Sequence, residues 1–329
     1  AYGAIGNEHF RYYRLANAEA ITLSGQVSIR WIENKMNGYL NKLLGSDEKD
    51  YVIASDTDSI YLNLGPLVDK FFGSKSSDKA KVVDLLDKIC KDKLEPFIDA
   101  SYEELATYAN AYDQKMSMKR ENIADRGIWT AKKRYILNVW DSEGVRYNEP
   151  KMKIMGLETA RSSTPAYFRD KLYEAFKIII GKTNDELIAF IDDVRAATKQ
   201  QPYEDIAFPR GCNGLEKYFS RTSIYQKGTP IHVRGALLYN HYVNKNNVTN
   251  KYPIIQEGEK IKFIYLKTPN PMKEDCISFF SQIPKEFNME KYIDYKKQFD
   301  KSFLKPLENV LECIGWNSKK IITIGSFLT

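Results

Sequence analysis

The chain has 329 residues, 43% hydrophobic and 28% charged, with a formal net charge of +6 and four scattered cysteines. Those values describe a folded globular protein of about two domains and exclude a disordered or fibrous chain. No apolar run approaches the roughly 18 residues of a membrane span, the N-terminus has no signal-peptide pattern, and the cysteines form no CxxC pair. A cytoplasmic protein with reduced thiols is expected. The positive balance, with twenty-two Tyr and sixteen Phe interleaved among Lys and Arg, favours an anionic partner such as nucleic acid.

In chain order, the sequence opens on Ala1-Tyr2-Gly3-Ala4-Ile5-Gly6-Asn7 with no initiator Met, as if cut from something longer. From Phe10 to Leu44 apolar residues recur at helical spacing up to Gly45, predicting a long amphipathic helix with a break at Ser24-Gly25. Tyr51 to Leu64, YVIASDTDSIYLNL, is a β-hairpin pattern with acids at the tip. Alternation along an extended segment puts Asp56 and Asp58 on one side and Thr57 on the other. Two carboxylates that close invite a divalent cation, although Asp and Ser are also ordinary turn formers. Asp78 to Tyr112 predicts two helices hinged at Pro96, and Met116 to Met155 an antiparallel meander turning at Asp141 to Gly144.

Beyond Gly156 helices are expected over Thr164–Gly181, Thr183–Thr198, His232–Tyr242 and Met289–Ile314, the last kinked at Pro306, with a strand at Lys260–Leu266. Gln200 to Pro230 reads as a long irregular stretch. The order describes an α+β protein in which an antiparallel sheet with packed helices, residues 1–156, is followed by a mostly helical domain, residues 157–329. Within the second domain Arg161, Ser162, Ser163 and Thr164 gather donors and a cation at a helix start, a reasonable grip for phosphate that is also an ordinary N-cap.

Several segments together resemble the family B DNA polymerases, in particular those of tailed bacteriophages. They are YGAIGN at Tyr2 to Asn7, like the end of that family's motif B, and SDTDSIY at Ser55 to Tyr61, like motif C. Further along come KKRY at Lys132 to Tyr135, KIMGLETARSSTP at Lys153 to Pro165, and IHVRGALLYN at Ile231 to Asn240. The resemblance runs over essentially the whole chain, in order. It implies a remainder of the polymerase palm followed by the thumb, and a nucleotidyltransferase that extends a primer by two-metal phosphoryl transfer.

The same resemblance makes Asp58 the firmer Mg²⁺ ligand and Asp56 the second, with Glu121 beside them, and places Tyr2 and Gly3 under the nascent base pair. It sets Lys132, Lys133 and Tyr135, on a basic strand with Arg134, along the primer; Arg161, Ser163 and Thr164 are candidates for the duplex from their residue types, and Arg234 is either a duplex contact or plain structure. Partners implied are primer-template DNA, dNTP, an N-terminal polymerase half, and a sliding clamp at the tail Lys319 to Thr329.

No DxxSLYP segment is present, so the motif A aspartate that completes the two-ion site is missing, as are the fingers and any acidic exonuclease signature. The chain is therefore expected to be inactive without its N-terminal half and to expose apolar surface near Tyr2 and the first long helix. Two readings of other classes stay open: a non-catalytic DNA-binding and partner-binding module, and a metal-dependent nuclease.

Overall fold

The structure, a computed structural model, describes residues 2–73 and 78–320. Residues 321–329, most of the tail considered for a clamp, lie outside the described residues. The fold is α+β, with small antiparallel sheets among many helices.

The chain divides into two compact units, Ala1–Asp125 with Asn138–Lys151, and Arg126–Leu137 with Met152–Thr329. The sequence suggests one cut, at Gly156. The chain passes between the two packing units at 125/126, 137/138 and 151/152, inside each of the three meander strands β3 (Asn122–Ala131), β4 (Arg134–Ser142) and β5 (Val145–Met155). The reason is that the two ends of these strands enter different cores. Ile123 and Trp140 pack with Leu67, Val83 and Leu86, whereas Ile136, Met152 and Ile154 pack with the helices that follow.

The first unit begins with a helical turn α1 (Tyr2–Ile5) and the helix α2 (Leu15–Leu44), 30 residues and about 45 Å long. The break expected at Ser24-Gly25 is absent: α2 is continuous and ends at Gly45, whose φ of 71° lets its N–H close the last turn on Asn41 O. Only its C-terminal half is amphipathic in use. Ile32, Met36 and Leu40 are buried against Tyr51, Val52, Ile98 and Tyr102, while Leu15, Ile21, Leu23 and Val27 stand exposed together with Tyr2, as the sequence reading expects.

The hairpin β1 (Val52–Asp56) and β2 (Ser59–Leu62) comes next, then α3 (Gly65–Phe72), α4 (Lys79–Ile89) and α5 (Glu95–Tyr108). Between α4 and α5 the hinge predicted at Pro96 is a π-turn, Cys90–Leu94, in which Glu95 N–H reaches back five residues to Cys90 O. Proline lacks an N–H and crowds the carbonyl four residues back, so a wider turn ahead of it relieves the ladder. The same device, Asp300–Leu304, precedes Pro306 between α11 (Tyr295–Phe299) and α12 (Lys305–Ile314), where the sequence predicts a kink.

The second unit is built on α6 (Ala166–Gly181), α7 (Asn184–Thr198) and α10 (Ile231–Lys245), around a core that includes Phe168, Phe176, Ile191, Leu238 and Phe303. Helix α7 starts on a full capping box in which Thr183 and Glu186 bond each other's backbone.

The stretch Gln200 to Pro230 contains α8 (Tyr203–Ile206), β6 (Phe208–Gly211), α9 (Leu215–Tyr218) and a ribbon β7 (Phe219–Ser220) with β8 (Ile224–Tyr225). Strand β9 (Lys260–Tyr265) falls where a strand is predicted and pairs with β6 and β10 (Cys276–Phe279) in a sheet ordered β10-β9-β6. Those flanking strands escape the sequence reading because β6 is a Pro- and Gly-containing edge and β10 is four fully buried residues with no alternation. Helix α10 lies against β10 at Gly235, where a Cβ would come within 2.5 Å of Ser278 Oγ. All four cysteines are free thiols.

Candidate functional site

The acidic hairpin is held at its base and strained at its tip. Asn37 Oδ1, on α2, accepts from the N–H groups of Tyr51 and Val52 at 2.8 and 2.9 Å, and the Tyr51 hydroxyl, buried, lies 2.8 Å from Ser46 Oγ. A bulge between Val52 and Ala54 shifts the register on the way out. Such bulges re-aim the residues beyond them.

Asp56 then pairs with Ser59 across a two-residue loop, Thr57-Asp58. Asp58 N–H donates to Asp56 O at 2.6 Å, Ser59 Oγ donates to the same oxygen at 3.1 Å, and Thr57 takes φ 56°. A β-branched residue in the left-handed region is costly. This geometry corrects the simple alternation: the chain reverses at Thr57, whose hydroxyl bonds Asp56 Oδ1 at 3.0 Å instead of facing away, and Asp58 is part of the turn, exposed. The Asp58 charge is felt inside the unit. Burial raises the pKa of the Tyr102 phenol on α5, and Asp58 raises it further.

Glu121 lies one residue before β3, exposed, with its carbonyl accepting from Glu143 N–H at 2.6 Å and Arg120 Nη1 at 3.3 Å. Among the described residues no three His, Cys, Asp or Glu side chains gather into a metal-holding group, so Asp56, Asp58 and Glu121 are not brought together as one. The two hairpin carboxylates are hard oxygen donors of the kind Mg²⁺ takes, and two carboxylates alone would fill only part of an octahedral shell. They fit the ion by type and leave most of its ligands to others.

One buried charge cluster among the described residues of the first unit is missed by the sequence reading. The Arg120 guanidinium, buried, forks between Asp87 on α4 and Asp141 on β4. Asp141, 1% exposed, also accepts from Gly144 N–H at 3.0 Å and Arg146 Nε at 3.1 Å, and Arg146 continues to Asp84 at 2.7 Å. A hydrogen bond from Lys91 and, against the opposing effect of burial, the Arg120 contact hold the Asp87 carboxyl below its ordinary pKa. Nothing local marks these residues. Only the fold brings positions 84, 87, 120, 141 and 146 together.

In the second unit the basic segment is a turn rather than the strand predicted. Lys132 and Lys133, both exposed, are the two loop residues between β3 and β4, and Lys133 takes φ 61°. Gly156, φ 66°, supports this turn so closely that a Cβ there would lie 2.1 Å from Lys133 O. Arg134 turns back to Glu158 at 2.9 Å, and Tyr135 is 7% exposed, its ring 6.2 Å from that of Trp129 in the sheet.

Of the remaining candidates, Arg161 is exposed and bonds Gly156 O at 3.1 Å; the Ser163 carbonyl accepts from Arg210; Thr164 is buried. Arg234, on α10, is ion-paired with Asp275, which also binds Lys297 at 3.0 Å. Tyr2 and Gly3 sit in α1, with Tyr2 56% exposed.

The chain is 37% identical over 326 residues to the DNA-directed DNA polymerase of Enterobacteria phage T4, covering 95% of this chain and 36% of that protein. It is 39% identical over 320 residues to the DNA-directed DNA polymerase of Escherichia phage RB69, covering 93% and 35%. No protein-family model matches it. The chain thus spans about a third of the length of these relatives. Along nearly its whole length, it is homologous to one part of the phage DNA-directed DNA polymerases.

Proposed function

We propose that the chain supplies the palm remainder, about residues 1–156, and the thumb, about 157–329, of a family B DNA polymerase. It would contribute the motif C carboxylates and the grip on primer-template DNA, while motif A, the fingers and the exonuclease come from another polypeptide segment. The observation that carries this reading is the collinear identity of 37–39% over at least 93% of the chain. The strained SDTDS tip supports it, because a β-branched residue in the left-handed region is costly and the turn keeps Thr57 there.

In this reading Asp58 and Asp56 hold Mg²⁺ at the hairpin tip, with Glu121 nearby and the missing aspartate completing the shell. The ion, when bound, neutralises phosphate charge and makes a primer hydroxyl a better nucleophile. This chain's own residues bind and orient. The buried base of the hairpin fixes where the carboxylates stand, and the Lys132-Lys133 turn offers two ammonium groups to the primer backbone and minor groove, where acceptors recur at every base pair. Arg134 and Tyr135 back that turn. Arg161, Ser163, Thr164 and Arg234 would serve the duplex beyond it, and Tyr2 and Gly3 the nascent pair. No helix among the described residues is long and apolar enough to cross a membrane.

Primer extension tests the proposal. Alone, the chain should not extend a primer with dNTP and Mg²⁺; mixed with the complementary N-terminal half of a phage polymerase of this kind, it should. Asp58→Ala in the mixture should abolish extension, and full activity of that variant would sink the assignment. Duplex binding without restored extension, together with no Mn²⁺ site sensitive to Asp58→Asn, would favour the non-catalytic DNA-binding module.

A further inference from the structure

Helix α2 carries apolar stripes on opposite sides, and the first unit covers only one of them. Its buried positions are Ala18, Ser28, Ile32, Met36 and Leu40. At about 3.6 residues per turn, Ala16, Ala20, Leu23, Val27 and Trp31, spaced four, three, four and four residues apart, line up on the far side. Leu23 and Val27 are 59% and 57% exposed, Ala16 and Ala20 are exposed, and Trp31 is half-buried. The stripe continues onto the end of α5, where the Tyr108 ring, 81% exposed, stacks on that of Trp31 at 6.0 Å.

A helix that faces water is not ordinarily built this way. Solvent faces carry charge, yet from Leu15 to Ile29 the only ionisable side chain is Glu19. The same stretch holds Thr22, Ser24, Gly25, Val27 and Ser28, all weak helix formers. Helices of such composition take their stability from packing rather than propensity. Between Leu15 and Ile29, however, only Ala18 and Ser28 are buried, and α2 still runs unbroken. An uncharged, weakly helical segment with an exposed apolar stripe is an element that a further surface completes.

The chemistry of the stripe selects what covers it. A nucleic-acid backbone needs cations, and after Arg14 the next Lys or Arg is Arg30. The face calls for apolar protein. Ala16 and Ala20 allow close approach at one end, and Leu23, Val27, Trp31 and Tyr108 stand out at the other, a relief into which the side-chain ridges of another helix pack. The comparison with the phage polymerases supplies the source of that helix. Nearly all of this chain matches them, yet the match covers only 36% and 35% of their lengths, so more than half of each has no counterpart among these residues.

We propose that Ala16, Ala20, Leu23, Val27 and Trp31 of α2, with Tyr108, form the docking surface for an apolar helix face of the polypeptide segment that supplies the rest of the polymerase. The proposal rests on the polymerase reading above and deepens it by naming the surface through which that segment binds.

The test mixes the chain with the complementary N-terminal half of a phage polymerase of this kind. Analytical ultracentrifugation reads the complex, hydrogen exchange reads the amides of α2, and primer extension reads the product. Wild type should form a one-to-one complex in which the amides from Leu23 to Ile29 exchange at least about tenfold more slowly than in the chain alone. Leu23→Lys combined with Val27→Glu replaces two exposed apolar side chains, leaves the net charge unchanged and sets opposite charges four residues apart along the helix. That variant alone should melt and bind duplex as wild type does, while its affinity for the N-terminal half should fall about a hundredfold or more, because two side chains lose their burial and two charges lose water. Thr22→Lys, at an exposed position away from the stripe, should change that affinity less than about twofold.

A double variant that binds the half as tightly as wild type, with extension restored in both mixtures, would overturn the docking surface and leave the polymerase reading standing. Unslowed exchange from Leu23 to Ile29 in a wild-type complex that does form would overturn it equally, whether or not the double variant folds. A wild-type chain that neither binds the half nor extends a primer with it would remove the polymerase reading and the proposed occupant together. Dimers of the chain that the double variant abolishes and the N-terminal half does not displace would overturn the occupant in favour of a second copy of this chain.

Discussion

Among the described residues, three two-residue hairpin turns solve the same steric problem in two ways. Between β4 and β5 the turn is Glu143-Gly144, at φ 52° and 87°, with Gly supplying the second left-handed position and the buried Asp141 carboxylate binding the Gly144 N–H. At the acidic tip and the basic tip the left-handed positions fall instead on Thr57 and Lys133. Left-handed backbone on a non-glycine residue is uncommon, and on a β-branched one it is an outlier. The first turn places glycine at one of its two left-handed positions; the other two contain no glycine and put Thr57 or Lys133 there. Where local rules are broken without an evident packing gain, function is the usual reason. The difference separates the structural turn from the two candidate functional ones, and substitutions can break or sharpen it.

The largest effect is expected at the structural turn. Asp141→Ala leaves Arg120 as a buried charge with one partner fewer, and also removes the acceptor of Gly144 N–H and Arg146 Nε. Losing one member of a buried ion network costs about 3–5 kcal/mol, which urea unfolding would read directly. The same network sets a pH dependence. The Asp87 pKa is depressed in the fold, so the stability it contributes is fully present above its unfolded value of about 3.9 and is lost as pH falls through the lower folded value. Asp87→Asn should therefore flatten the acid side of the stability curve. An acid limb unchanged in that variant would show that other carboxylates govern it.

A smaller loss is expected beneath the basic tip. Ala at position 156 must place a Cβ at 2.1 Å from Lys133 O with φ at 66°, so either the turn or the end of β5 must move. Gly156→Ala should cost about 2–3 kcal/mol, the upper range for a strained backbone position. Because the displaced group carries Lys133, duplex binding should weaken more than stability alone accounts for. Retention of wild-type affinity in the folded fraction would mean that the position of this turn does not matter to DNA.

These contrasts also mark how far the sequence could be read. Elements with a local cause were legible: the α2 stop at Gly45, the hinges at Pro96 and Pro306, the turn at Glu143-Gly144, and the Thr183 start of α7. So was the acidic hairpin, because its β-branched flanks and polar tip lie within fourteen residues. The orientation at its tip was not. Alternation assumes extended backbone, and Thr57 leaves that region, just as Lys133 turns an expected basic strand into a loop. The Arg120 network was illegible for another reason. Its members lie as many as 62 positions apart, Asp84 to Arg146, and no window of sequence contains them. Burial also changed what a residue type means: Tyr135 and Thr164 read as surface contacts by pattern, yet both sit largely inside the second unit.

The smallest effect bears most directly on whether the two tips are functional. Glycine at position 57 or 133 relieves the left-handed strain, about 1 kcal/mol or more, and gives back roughly 0.5–1 kcal/mol through greater unfolded-state entropy. Thr57→Gly also loses the hydrogen bond to Asp56 Oδ1, so its net change should be near zero. Lys133→Gly should be neutral to stabilising by about 0.5 kcal/mol. Function should move the other way in both. Thr57→Gly loosens the Asp56–Asp58 pair and should weaken Mn²⁺ binding, and Lys133→Gly removes a cation and should lower the salt slope of duplex binding by about one. A protein made no less stable while binding worse is the signature of strain kept for chemistry. If instead both variants melt several degrees lower with ligand affinities unchanged, Thr57 and Lys133 are structural like Glu143, and the distinction between the turns collapses.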